Sequence, residues 1–316
     1  MQIKLISWNI NGLRAAIKKG LWEKLNQINA DAVNFQETKS DDQIMSSIFT
    51  DFKQIDSNSL LENEINPTQA YSEKSKIIWH SCSLRKGYSG VATVWKDSNL
   101  QLIDYQIGMQ NPEFDGEGRL TVIKFHVRGT DHQFTLINGY YPQGGRGPHR
   151  IEFKLNFYKE VVVLVKKLKS KGEKIILCGD LNTTIKDQDL ARPKENKKTT
   201  GCLPEERVAL NWLIEDAEFE KDNLVISNPD FINWQNTDFQ KLNFIDSFRY
   251  FYPDLKDKYT YWDQITRARE RNVGWRIDYF IIDKDLLPFL KSAQILDKVL
   301  GSDHCPIEIV LEFDKK

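Results

Sequence analysis

The sequence predicts an α/β protein made of two packed mixed β-sheets with helices on their outer faces, a four-layer sandwich. Three observations carry that expectation. Short apolar, β-branched runs recur along the chain with turn residues between them. Helical patterns fall in two groups, one near the start and one in the second half. No linker-like, low-complexity or repeated segment divides the 316 residues, so one domain, 1–316, is expected.

Ile3 to Trp8 alternates as a strand and ends in Asn9-Ile-Asn11-Gly12. A helical stretch follows from about Leu13 to Ile28, interrupted at Gly20, and Ala32 to Phe35 reads as a buried strand ending in Gln36-Glu37-Thr38. Residues 41–50 look helical, and residues 56–75 are polar enough to read as a surface insertion. Strands are then expected at 76–80, 90–95, 100–107, 119–127 and 134–139. Over 148–171, Ile151, Leu155, Tyr158, Val162, Val165 and Leu168 keep helical spacing. The run Lys174-Ile-Ile-Leu-Cys-Gly-Asp-Leu-Asn182 reads as a strand buried on both faces that delivers Asp180 and Asn182 at its carboxyl end. Alternation predicts that these two side chains share a face. A polar loop runs on to Leu203, and Pro204 opens another helix. Residues 222–243 form a second irregular, Asn-rich insertion, and strands at 275–282, 292–296 and 306–313 close the chain.

Hydrophobic content of 40% and charged content of 28% are those of an ordinary globular protein. Apolar runs are strand-sized, too short to span a bilayer, and Met1-Gln2-Ile3 enters a strand with no signal peptide before it, so a cytoplasmic protein without membrane association is expected. The four cysteines, at 82, 178, 202 and 305, have neither zinc-site nor disulfide spacing and are expected to be reduced. With a net charge of −1, attraction to a polyanion must come from local patches.

Polar residues collect where strands end: Asn9 and Asn11, Glu37, Tyr140, Asp180 and Asn182, Asp278, then Asp303 and His304. This inventory is mostly oxygen plus one imidazole, which suits Mg²⁺ or Mn²⁺ better than zinc. Such a set can polarise a phosphate and activate a water, which is metal-assisted hydrolysis of a phosphodiester.

Seven blocks sharpen this. Ser7-Trp-Asn-Ile-Asn-Gly-Leu-Arg14, Gln36-Glu-Thr-Lys39, Gly87-Tyr-Ser-Gly-Val91, Gly139-Tyr-Tyr-Pro142, Gly179-Asp-Leu-Asn182, Asn272-Val-Gly-Trp-Arg-Ile-Asp-Tyr-Phe280 and Gly301-Ser-Asp-His-Cys-Pro306 occur in order from the first strand to the last. Together they resemble the signature blocks of exonuclease III and the abasic-site endonucleases of the endonuclease/exonuclease/phosphatase superfamily. The resemblance implies a DNase I-like fold. It also implies a Mg²⁺-dependent DNA-repair nuclease, with Mn²⁺ able to substitute. The implied work is incision 5′ to abasic sites in double-stranded DNA, with 3′-phosphodiesterase and 3′–5′ exonuclease activity on damaged 3′ ends, performed by a monomer.

Residue by residue, the resemblance makes Glu37 the principal metal ligand, with Asn9, Asp180, Asn182, Asp303 and His304 around the metal. Asn11 stands where many members carry aspartate, so at most a water-mediated role is implied. Asp180 would orient or deprotonate the attacking water, helped by Asn182. His304 would donate to a phosphate oxygen, Asp278 would fix its tautomer, and Tyr140 would contact the phosphate or the leaving oxygen. Arg14, Lys18, Gly87, Tyr88, Arg146 and Asn196 match positions that touch DNA. Tyr261, Trp275 and Ile277 match a small pocket for a flipped, baseless deoxyribose. Read without the resemblance, each has a bland alternative: a solvated Glu, an Asp capping a loop, a core histidine, core aromatics. A sphingomyelinase or inositol-phosphate phosphatase would share the Glu37, Asp180 and His304 elements, but not the block around Trp275 or the Asn196 loop. A DNA-binding module without catalysis would have no use for Glu37, Asp180, Asn182, Asp278 and His304 together.

Overall fold

The computed structural model describes residues 1–49, 52–56, 60–63, 75–214 and 242–316. Its strands, numbered in chain order, form two sheets. The first runs β13 (Leu290–Ile295), β14 (Ile307–Glu312), β1 (Gln2–Asn9), β2 (Ala32–Gln36), β6 (Val91–Lys96), β5 (Ser75–His80), β4 (Leu60–Asn63), β3 (Phe52–Asp56). The second runs β11 (Phe244–Asp246), β12 (Asp278–Asp283), β10 (Ile175–Asp180), β9 (Gln133–Tyr140), β8 (Leu120–Val127), β7 (Leu100–Ile107). Both are mixed: β1 pairs parallel with β2 and β9 with β10, while β1–β14 and β10–β12 are antiparallel.

The sheets face each other across a core in which Ile3, Leu5, Ile78 and Trp95 of the first meet Ile123, Phe125, Leu136, Ile176 and Phe280 of the second. Helices Leu13–Lys18, Leu21–Ile28 and Asp42–Ile48 cover the outer face of the first sheet through Leu13, Leu21, Leu25 and Met45. The expected single helical stretch breaks where expected, at Gly20, whose φ of 78° a β-carbon would disfavour. Helix Pro148–Lys169 buries Leu155, Phe157, Tyr158, Val161, Val162 and Val165 against the second sheet, joined by helix Pro204–Asn211. Each such side chain contributes roughly 1.5–3 kcal/mol of transfer free energy, which offsets the entropy of ordering the chain. The expected four layers are present.

Two local expectations differ. The polar stretch 56–75 is not wholly an insertion: β4 pairs with β3 and β5 and extends the first sheet to its edge. The rest of that stretch, 57–59 and 64–74, lies outside the described residues, as does 222–241 of the second Asn-rich segment. The expected strand at 275–282 begins only at Asp278. Trp275 instead makes isolated bridges to Tyr261 and Leu190, drawn away because Arg276 turns inward to a buried carboxylate.

That carboxylate is Asp189, fully buried and gripped by Arg276 (Nε to Oδ1 2.8 Å, Nη2 to Oδ2 3.0 Å) and Arg249 (Nε 3.1 Å), while Arg276 also donates to Asp246 (2.6 Å). The cluster ties the 185–190 loop, β11 and the segment that enters β12. Burial alone would raise the Asp189 pKa, but Arg276 and then Arg249 outweigh it and hold it below the usual carboxylate range. A lowered carboxylate pKa contributes stability that is present above its ordinary value near pH 4 and lost as pH falls through the folded value. Asp189→Asn should therefore destabilise the protein by roughly 3 kcal/mol or more, because a buried charge loses its partner. Urea denaturation at pH 7 checks the magnitude, and a smaller difference between variant and parent at pH 3 checks the sign.

Candidate active site

At one end of the second sheet, β9 and β10 finish and β12 begins in register. Asp180 of β10 stands opposite Tyr140 of β9 on one side and Asp278 of β12 on the other. The preceding pair, Gly139 and Gly179, has no room for side chains: a β-carbon on Gly179 would lie 1.9 Å from the Gly139 carbonyl oxygen. Here glycine is a condition of bringing the three polar residues into one row.

Asp180 and Asp278 are each 1% exposed. His304 answers both, with Nδ1 2.8 Å from Asp278 Oδ2 and Nε2 3.9 Å from Asp180 Oδ2. Burial would lower the His304 pKa, yet Asp278, then Asp180 and Asp303, raise it to about 10. Asp180 is pushed up to about 7, first by burial and then by Asp278, with His304 pulling the other way. The result is an imidazolium beside a carboxylate poised near neutrality, a donor and a proton acceptor side by side.

Asp180 is further held by Asn9 Nδ2 (2.9 Å) and by the Asn182 backbone N–H (2.8 Å). The two side chains do meet, though not by strand alternation: β10 ends at Asp180, and Asn182 (φ 53°) reaches back from the turn, its amide donating to the Tyr141 carbonyl at 2.8 Å. Beneath the turn, the fully buried Lys154 ammonium donates to the Asn182 carbonyl (2.7 Å) and to Glu206 (2.8 Å), and Glu206 also accepts from Thr200 and the Gly201 and Leu203 backbone.

A second, outer cluster lies across Asn9. Its Oδ1 accepts from the Asn11 backbone at 3.0 Å, while the Asn11 side chain donates to Asp303 at 2.9 Å. Lys39 donates to Asn11 Oδ1 and lies 3.1 Å from Glu37 Oε1. Glu37 and Lys39 both have left-handed backbones, φ 57° and 51°, in one turn. Two such non-glycine residues together are strained, and strain of this kind concentrates at functional sites. The donors of this corner are hard oxygens, and an ammonium already sits against Glu37, so it is a place that attracts a cation. Among the described residues the titratable group able to hold a metal ion is Asp180, Asp278 and His304.

Comparison with known proteins identifies the family. Residues 6–304 match the model of the Endonuclease/Exonuclease/phosphatase family. The chain is 33% identical to the exodeoxyribonuclease of Bacillus subtilis, over 98% of this chain and 99% of the relative. It is 31% identical to the DNA repair nuclease APEX1 of Danio rerio, over 98% of this chain and 82% of the relative. The chain belongs to the endonuclease/exonuclease/phosphatase family. Within it, the chain falls in the branch of exonuclease III and the abasic-site endonucleases, and it is a nuclease. The fold is shared with the Xenopus laevis APE2 catalytic domain, with a TM-score of 0.72 and 26% identity over 99% of this chain and 94% of that one. It is also shared with the AP endonuclease LMAP of Leishmania major, with a TM-score of 0.76 and 23% identity over 99% and 88%.

In this nuclease the remaining sequence-based candidates lie as follows. Arg14 and Lys18 are exposed on helix Leu13–Lys18, and Arg146 is exposed beside the start of helix Pro148–Lys169. Gly87 (φ 69°) has open space around it and Tyr88 is half-buried. Asn196 ends the short helix Pro193–Asn196, its amide turned back onto the Arg192 carbonyl at 2.9 Å. Tyr261 and Trp275 are bridged to each other, and the Tyr261 ring lies 4.9 Å from that of His304. Ile277 is buried behind them. Sequence reading missed Lys39, Lys154 and Glu206. For Lys39, its place in Gln36-Glu-Thr-Lys39 was available as a signal; the buried Lys154–Glu206 pair leaves none, since both lie in ordinary helical patterns.

Because its pKa is raised, the charged form of His304 stabilises the fold fully below its ordinary value near 6.5 and less as pH rises through about 10. In metal-free protein, NMR titration of the His304 ring should show it protonated at pH 8. Asp278→Asn should move its titration down by more than one unit; an unmoved titration would show that Asp278 does not set its charge.

Proposed function

We propose that the chain is a Mg²⁺-dependent DNA-repair nuclease acting on double-stranded DNA. It hydrolyses the phosphodiester 5′ to abasic sites and carries 3′-phosphodiesterase and 3′–5′ exonuclease activity. It works as a monomer in the cytoplasm, at the nucleoid if the cell is bacterial. The observation that carries this reading is the Asp180–His304–Asp278 cluster set beside the oxygen-rich corner of Glu37, Asn9 and Asp303. The names of the relatives, an exodeoxyribonuclease and a DNA-(apurinic or apyrimidinic site) endonuclease of Dictyostelium discoideum, support the substrate.

In the proposed mechanism a divalent cation would be held by Glu37, with Asn9, Asp180, Asn182 and Asp303 as the further oxygen donors. Bound there, it would polarise the phosphate; Mn²⁺ fits the same donors. His304, its ring bonded to Asp278, would donate to a non-bridging phosphate oxygen, and it stands with Asp180 and Asp278 in the group able to hold a metal ion. Asp180, anchored by Asn9 and Asn182 and with a proton affinity near neutrality, orients the attacking water and takes its proton. Tyr140, whose phenol burial and then Glu37 hold protonated, stands in the same row and donates to the phosphate or the leaving oxygen. Arg14, Lys18, Gly87, Tyr88, Arg146 and Asn196 position the DNA backbone. The wall of Tyr261, Trp275 and Ile277 beside His304 accepts a baseless sugar and refuses a complete nucleotide.

A duplex with one internal abasic analogue should be cut once, 5′ to the lesion, in Mg²⁺ and not in EDTA. No cleavage by folded protein would redirect the search to other phosphodiesters. Glu37→Ala should lower kcat/KM by about three orders of magnitude, on the order of 4 kcal/mol of barrier, with the fold retained; full activity would remove Glu37 from the metal corner. Trp275→Ala should narrow the preference for abasic over intact sites by roughly tenfold, the cost of one lost apolar contact or more. Unchanged preference would return Trp275 to a packing role.

A further inference from the structure

A compact cluster between the Tyr88 loop and the end of β9 has no part in the chemistry above. Arg119, 2% exposed just before β8, donates Nη1 to the Tyr140 carbonyl (2.9 Å) and Nη2 to the Tyr88 hydroxyl (3.0 Å), and its Nε pairs with Glu117. Its guanidinium lies over both rings, 4.9 Å from the centroid of Tyr140 and 5.5 Å from that of Tyr88. Arg150, from helix Pro148–Lys169, closes the cluster. Nη2 reaches the Tyr88 hydroxyl at 3.2 Å, and both terminal nitrogens grip Glu117, at 2.8 and 2.6 Å.

Two consequences follow from donor and acceptor chemistry. A phenol oxygen has two acceptor sites and one hydrogen. With an arginine donating to it from each of two elements, the Tyr88 oxygen is used as an acceptor, and its hydrogen is left to be donated outward. The side chains of Arg119 and Arg150 are 2% and 13% exposed, so Tyr88, half-buried at the surface, is the group they can act through. Two guanidiniums against one carboxylate also leave one positive charge under that hydroxyl, which strengthens it as a donor to an anion.

We propose that Arg119, Glu117 and Arg150 are positioning residues that fix the Tyr88 hydroxyl as a hydrogen-bond donor to a DNA phosphate and couple that contact to the placement of Tyr140. The proposal rests on the reading of the substrate as duplex DNA. Phosphate engagement at Tyr88 presses on Arg119, and Arg119 holds both the carbonyl and the ring of Tyr140, so backbone binding and the setting of the phenol share one guanidinium.

The test is a double-mutant cycle with full-length protein, measuring binding of an abasic-analogue duplex in EDTA by fluorescence anisotropy. Tyr88→Phe and Arg150→Gln should each weaken binding about five- to tenfold, the range for one hydrogen bond to a charged group. The double variant should bind no more weakly than the weaker single. Full additivity, or an Arg150→Gln variant that binds like the parent, overturns the proposal, because a merely structural ion pair would behave so. Arg150→Lys keeps the charge but not the fork, and should recover only part of the loss. For the Tyr140 arm, Arg119→Lys should lower kcat at saturating DNA about tenfold beyond the effect of Tyr88→Phe; an equal kcat in the two variants removes the coupling. Thermal melting accompanies each variant, and should Arg119→Lys not fold, the Tyr88–Arg150 cycle decides. Parent protein that neither binds nor cuts the duplex would refute the DNA reading itself, whereas a parent that does both with an additive cycle refutes this inference alone.

Discussion

Two carboxylates on neighbouring strands, directly opposite and sealed from water, are the constraint from which this molecule is arranged. Asp180 and Asp278 face each other in the β10–β12 register with 1% exposure apiece. Such a pair cannot keep both charges without a cation. The protein supplies one from the far end of the chain: the Ser302–His304 segment folds in so that the imidazole bonds Asp278 and lies near Asp180. The same arrangement gives the site two different functional groups. Asp278, bonded to the ring, fixes its charge; Asp180, held more loosely by amides, keeps a proton affinity near neutral pH.

The rest of the scaffold keeps that arrangement in register. Between the sheets, just behind the site, a buried polar layer joins them: Gln36 Nε2 donates to Asn138 Oδ1 at 2.7 Å, and Asn138 Nδ2 donates to the Ala92 carbonyl at 3.0 Å. A one-residue slip in β2 or β9 would strand these buried amides, so the layer specifies the alignment that puts Glu37, at the end of β2, level with Tyr140, at the end of β9. Asn9 carries the alignment across, accepting from Asn11 on one side and donating to Asp180 on the other. The inner cluster and the outer oxygen corner are thus held by one buried amide.

What could be read from the sequence follows from this design. The ends of β1, β2 and β10 were legible because apolar runs stop abruptly at polar residues, whereas Asp278 opens β12 and His304 precedes β14, and the seven blocks named these. Asp180, Asp278 and His304 could therefore be grouped before any coordinates. Contacts that depend on side-chain reach were not legible. Lys39 was quoted only as part of a block, Lys154 and Glu206 fell within expected helices and Arg119 at the start of an expected strand, because periodicity reports which face a residue occupies and says nothing about what a long polar chain will touch. Trp275 was misplaced for a related reason: the apolar pattern of 275–282 is genuine, but the demand of buried Asp189 for Arg276 overrides strand pairing there.

Electrostatics explains how a protein of net charge −1 could engage a polyanion. Among the described residues, several buried cations are taken up by carboxylates: Arg276 and Arg249 by Asp189, Lys154 by Glu206, and Arg150 by Glu117. These set geometry and add little field outside. The exposed cations Arg14, Lys18 and Arg146 instead lie beside segments that reach the site, and their attraction is the kind that salt screens. Attraction to a duplex and the setting of the chemistry are then assigned to different charges. The Arg119 cluster is where the two meet, since it carries an excess positive charge, is buried, and touches both an outward hydroxyl and the row of Tyr140 and Asp180. On the proposed reading, a contact made there differs from one made at Arg14, because it would alter the site as well as hold the DNA.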